Sequence, residues 1–172
     1  MVPYRPSAVF AIALLCSASL FAQGAGLASP MPFIPITPCR VVDTRGGGVF
    51  TGAYGPPALV ANQQRNFDLN SAPHCPGIPF GATAYSLNFT VVNTGIGGDL
   101  RAWPKDHPPV FPTSILNWTA GGTNIANAIA LPGEADGSIT VMAAGTGAHL
   151  LIDVNGYYAA SGTGANDTFL GP

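Results

Sequence analysis

Apolar and polar residues alternate in short runs along most of the chain, and glycine, proline and asparagine punctuate them. In 82–93, ATAYSLNFTVVN, Leu87 and Phe89 fall on one side of an extended backbone and Asn88 and Thr90 on the other. A period of two is the pattern of a strand with one face buried. The same Leu-Asn-aromatic-Thr motif returns in 113–120, TSILNWTA, with Leu116 and Trp118 on the apolar side. Further strands are predicted at 39–45, 65–70, 98–104, 123–132, 137–144 and 149–158. GGG, YGPP, GIGG, AGG, GEADG and AGTG serve as turns between them. The segment 104–112, PKDHPPVFP, is too rich in proline to lie inside a sheet. Only NIANAIALP is ambiguous between strand and helix. About eight short strands predict an all-β chain, a single-domain antiparallel β-sandwich of jelly-roll-like form.

The first 22 residues break this pattern. Arg5 precedes an apolar run that ends in small residues, the layout of a secretory signal peptide. Residues 1–22 are therefore expected to be removed, 23–32 to form a linker, 33–158 the domain and 159–172 a flexible tail. Export is the expectation, to the outside of the cell or its surface, with no transmembrane segment. The mature chain keeps two cysteines, Cys39 and Cys75, which in an oxidising compartment are expected to form a disulfide.

Charge changes the picture next. Only 8% of residues are charged, about a third of the usual fraction. After the leader, five basic residues face eight acids, a net charge near −3, which lacks the basic footprint of a nucleic-acid binder. Yet PCRVVDTRGGG concentrates Arg40, Asp43 and Arg45 in six positions, and Asp153 lies inside the otherwise apolar HLLIDVNGYY. A carboxylate in such a strand is costly unless paired. Arg40 or Arg45 is its natural partner, because a guanidinium holds a carboxylate with two parallel hydrogen bonds. The first and last strands are thus expected to meet, with Arg40, Asp43, Arg45 and Asp153 as a structural ion cluster. Strict alternation puts Cys39, Val41, Asp43 and Arg45 on one face and Arg40, Val42 and Thr44 on the other.

PCRVVDTR at the start, LNFTVVN in the middle, SILNW followed by GTNIANA, and LIDVNGYY at the end resemble a secreted all-β domain of bacterial surface and envelope proteins. That family opens on Pro-x-Arg-aliphatic-aliphatic-Asp-Thr-Arg and has no settled biochemical role. The likeness covers roughly residues 33 to 158 and implies a fold and a bacterial surface location rather than an activity.

Chemistry is sparse. There is no Gly-x-Ser-x-Gly elbow, and the spacing of His74, His107 and His149 singles out no triad. No catalytic residue and no metal ligand is therefore expected. A structural calcium is the one cofactor with candidate oxygens, at Glu134, Asp136 and Ser138 or at Asp153 and Asn155. Trp103, in LRAWPKDHPP between Arg101 and Lys105, is the candidate exposed aromatic for stacking on a sugar. Three readings follow. The first is a non-catalytic structural or adhesive surface protein that associates with itself. The second is a carbohydrate-binding module that uses Trp103 on a cell-surface polysaccharide, and the third a small secreted hydrolase.

Overall fold

A computed structural model describes Met1 and residues 30–46, 48–92, 95–121 and 124–160. The expected signal peptide, most of the linker and nearly all of the tail lie outside the described residues. Among the described residues eight strands make two four-stranded antiparallel sheets: β1 (Phe33–Asp43), β2 (Gln64–Asp68), β3 (Ala82–Val92), β4 (Gly98–Pro104), β5 (Leu116–Trp118), β6 (Ile125–Pro132), β7 (Ser138–Ala144) and β8 (His149–Ala159). One sheet runs β1-β8-β3-β6 and the other β2-β7-β4-β5.

This order has a simple logic. First pairs with last, second with seventh, third with sixth and fourth with fifth. A long antiparallel hairpin rolled on itself gives that nesting, which is the jelly roll. The chain is therefore all-β, as the alternation predicts, and NIANAIALP is a strand.

The inner faces meet in one core. Leu87, Phe89, Leu150 and Ile152 of the first sheet pack with Phe67, Leu100, Ile139 and Val141 of the second, all essentially inaccessible to water. Leu116 and Trp118 join them, so both copies of the Leu-Asn-aromatic motif turn their apolar side inward.

Two features depart from the sequence pattern. First, β1 starts at Phe33, six residues before the predicted strand, and passes through Pro35 and Pro38. An edge strand tolerates proline because one side of its backbone has no ladder to break. Second, strict alternation fails in CRVVD, where Val41 and Val42 are both fully buried. The β1/β8 register slips between Arg40 and Val42, and such a bulge turns two successive side chains the same way. Thr44 is also buried, and its hydroxyl accepts the Leu150 N–H at 2.8 Å.

Candidate functional site

The concentrated charges of β1 lie on the outer side of the first sheet, against β8. Arg40 sits opposite Asp153 in the register. Its Nε donates to Asp153 Oδ1 at 2.7 Å and its Nη2 to Oδ2 at 3.1 Å. Arg40, not Arg45, is thus the partner of Asp153. Arg45 instead turns back on Asp43, with Nε to Oδ1 at 2.9 Å and Nη2 to Oδ2 at 2.6 Å. Arg40 Nη1 lies 3.4 Å from Asp43 Oδ2 and joins the two pairs into one cluster.

About a third of the Arg40 and Asp153 side chains is exposed, whereas Asp43 is well covered. Hydrogen bonds from Arg45 pull the Asp43 carboxyl down to about 2, and the charges of Arg45 and Arg40 reinforce them against desolvation. The bonds to Asp153 hold Arg40 above its ordinary value. The Asp43 carboxylate is thus held as an anion by guanidinium groups. It is not poised to donate a proton near neutrality.

Asp43 gives a pH prediction. Its folded value lies below its ordinary one, so it stabilises the fold above that ordinary value, near 4. The contribution fades as pH falls toward about 2. The full shift would be worth roughly 2.5 kcal/mol, and solvent screening at exposed Arg45 reduces it to about 1–2 kcal/mol. Denaturant titrations from pH 5 down to 2 should show the native chain losing that much more stability than Asp43→Asn. Parallel losses in the two proteins would contradict the pairing.

Cys39 and Cys75 are bonded, with Cα atoms 5.4 Å apart. Beside them the surface dips. Pro38, Cys39, Arg40, Phe50 and Asp153 line an open hollow of about 420 Å³. Phe50 lines the hollow half-buried, and the His74 ring meets it edge-to-face, at 4.6 Å between ring centroids and 60° between planes. Through Pro38 and Cys39 the hollow adjoins a trough of about 660 Å³ between the start of β1 and the 76–79 loop.

The residues expected around Trp103 make no such surface. Trp103 lies in β4, within the strand expected at 98–104, but it is only 5% exposed. It lies opposite Thr140 of β7, whose hydroxyl donates to Asn66. Arg101 is held by Asp99 with bonds of 2.6 and 3.2 Å. Lys105 stands 3.8 Å from Asp136. A buried ring and two paired cations offer no platform to a ligand, so the geometry does not fit the stacking role expected of Trp103.

The calcium candidates are spent on turn and clasp geometry. Asp136 Oδ1 accepts the Ser138 N–H at 2.8 Å, and the Glu134 carbonyl accepts Gly137 N–H at 2.7 Å. Gly137 takes φ +82°, which closes the β6–β7 hairpin. The Glu134 side chain pairs with His107. Asp153 is committed to Arg40, and Asn155 is exposed on β8. Among the described residues no group of three His, Cys, Asp or Glu side chains is placed to hold a metal.

His149 opens β8, and its Nδ1 lies 2.9 Å from the Thr44 carbonyl. Two residues went unnoticed in the sequence. Arg65 gathers the carbonyls of Pro57, Ala53 and Gly55 at 2.6, 2.8 and 2.6 Å, which organises the 52–57 loop. Phe50 is a loop aromatic with no periodic neighbour, so no pattern marks it.

No protein-family model matches the chain, and no curated protein matches it significantly.

Proposed function

We propose that this chain is an exported, non-catalytic structural or adhesive domain of a bacterial surface that associates with itself through β6. The leader-like start and the PCRVVDTR…LIDVNGYY resemblance support the location. The edge presented by β6 carries the assembly reading.

A jelly roll leaves four edge strands, and exposed edges invite pairing unless something blocks them. In this chain β1 carries Pro35, Pro38 and two register shifts. β5 is three residues long, and β2 is five with Arg65 and Asp68. By contrast β6 runs eight residues, Ile125–Pro132, with no charge and with proline only at its end. Among the described strands its backbone ladder is with β3 alone, and the Asn127 side chain donates to the Ile115 carbonyl at 2.7 Å. Ala126, Ala128 and Ala130 are exposed on its outer side.

The strand is also nearly self-complementary. An antiparallel pairing centred on Ala128 sets Ala126 against Ala130, Asn127 against Ile129 and Ile125 against Leu131. No like charges meet, and a two-fold dimer uses one surface twice. The clamped carboxylates of the β1–β8 cluster favour a passive module over a hydrolase.

Sedimentation equilibrium of the mature chain should show concentration-dependent dimers or larger assemblies. The double variant Ala126→Lys/Ala128→Lys places charges on exposed positions and should weaken association by about tenfold or more while leaving the fold intact. A monomeric native protein up to millimolar concentration would overturn the proposal, as would undiminished association of the variant.

A further inference from the structure

We infer that the hollow beside the disulfide is a binding site for a neutral sugar, with Phe50 as the stacking face and the Arg40–Asp153 pair as the hydroxyl-recognising floor.

Three observations converge on this chemistry. The first is shape: about 420 Å³ of open hollow, continued by a trough of about 660 Å³, falls within the roughly 300–1,000 Å³ of small-molecule sites. The trough is walled by Ile34, Ile36, Pro38, Pro76 and Pro79. A chain of more than one sugar ring would therefore have somewhere to continue.

The second is the composition of the floor. A guanidinium has five N–H donors and a carboxylate about four acceptor positions. In the cluster Arg40 uses Nε, one N–H of Nη2 and, at the longer 3.4 Å, one of Nη1. One N–H on each terminal nitrogen is left. Each Asp153 oxygen accepts one bond from Arg40 and keeps a further lone pair. With both side chains about a third exposed, the floor offers donors and acceptors side by side. Adjacent sugar hydroxyls need both, since each donates and accepts. The polar row continues to Asn88 of β3, opposite Asp153.

The third is charge. Arg40 and Arg45 cancel Asp43 and Asp153, so the site as a whole is neutral. A uronate or a phosphate would meet a guanidinium already committed to a carboxylate. A neutral ring loses nothing by comparison, and its C–H face can lie on Phe50. That ring is braced by His74 at 4.6 Å and lines the hollow from its own loop. A proline-rich peptide is the competing occupant of a proline-walled trough. It is disfavoured because such peptides dock between exposed aromatic rings, and Tyr157, the aromatic of the trough, is only 4% exposed.

The test is an NMR titration of the full mature protein, isotopically labelled. The probes are glucose, galactose, mannose and tri-N-acetylchitotriose, with galacturonate and a Pro-x-x-Pro peptide as controls. At least one neutral sugar should shift the Arg40 Nε–H and the amides around Phe50. Phe50→Ala should weaken that affinity by about tenfold or more, and Phe50→Trp should restore it. Lysine substitutions at Ala126 and Ala128 should leave binding unchanged, which separates this site from the β6 edge. Silence of Arg40 and Phe50 toward every neutral sugar at tens of millimolar would overturn the inference. So would stronger binding of galacturonate or of the peptide at those residues, or equal affinity in Phe50→Ala.

Discussion

Replacing Cys39 and Cys75 together by alanine should lower the unfolding free energy by about 3.5–4 kcal/mol, the cost of freeing a loop of 36 positions in the chain-entropy account. The bond ties β1 to the connection between β2 and β3, and so fastens an edge strand of one sheet to the crossover between the two. It matters more than its entropy alone suggests, because β1 is the least regularly laddered of the long strands. Its pairing with β8 slips between Pro35 and Cys39 and again between Arg40 and Val42. At the size of this domain each kcal/mol moves the thermal midpoint by about 2–4 °C, so a fall of roughly 10 °C is expected. Calorimetry of the oxidised protein, the protein in reductant and the double alanine variant checks it. The last two should coincide well below the first. Equal midpoints for all three would mean that this loop is already held closed by packing.

What the sequence reveals of this molecule depends on the range of the interaction concerned. Leu87/Phe89 and Leu116/Trp118 announce their inward faces because alternation is a local property that burial enforces on each strand separately. The meeting of first and last strands is legible from one anomaly, an acid in HLLIDVNGYY that demands a cation. Its choice of Arg40 over Arg45 is not legible, because a bulge between Arg40 and Val42 resets which side chains face β8. The first six residues of β1 hide behind Pro35 and Pro38, which deter a strand everywhere except at an edge. Edge status is fixed by the whole topology. Trp103 misleads for a related reason. At the end of the strand expected at 98–104, before a proline-rich segment and between cations, it reads as exposed, but the pairing of β4 with β7 leaves it only 5% exposed. Phe50 gives no warning at all: the hollow exists only because β1, β8 and the loop after Arg45 converge.

The Arg40–Asp153 pair carries the second large expectation. It lies between the two slips of the β1–β8 register, where the backbone ladder specifies alignment least. A bidentate side-chain pair supplies there the directional contact that regular hydrogen bonding gives elsewhere. Arg40→Leu removes both hydrogen bonds to the partly covered Asp153 carboxylate and should cost about 2–3 kcal/mol. Asp153→Asn keeps the shape and one acceptor and should cost about 1–2 kcal/mol. In the double variant the losses should fall short of their sum by about 1–1.5 kcal/mol. That coupling exceeds a typical surface pair but is held below a buried one by solvent access to both side chains. Arg45→Leu is the control. It pairs with Asp43, so its coupling to Asp153 should stay within about 0.5 kcal/mol. Hydrogen exchange should place the damage as well, with protection lost first at the β1 amides from Cys39 to Asp43. Additive losses for Arg40 and Asp153, or a coupling to Arg45 of equal size, would show that the alignment of the closing strands is set by packing around Val41 and Val42 instead.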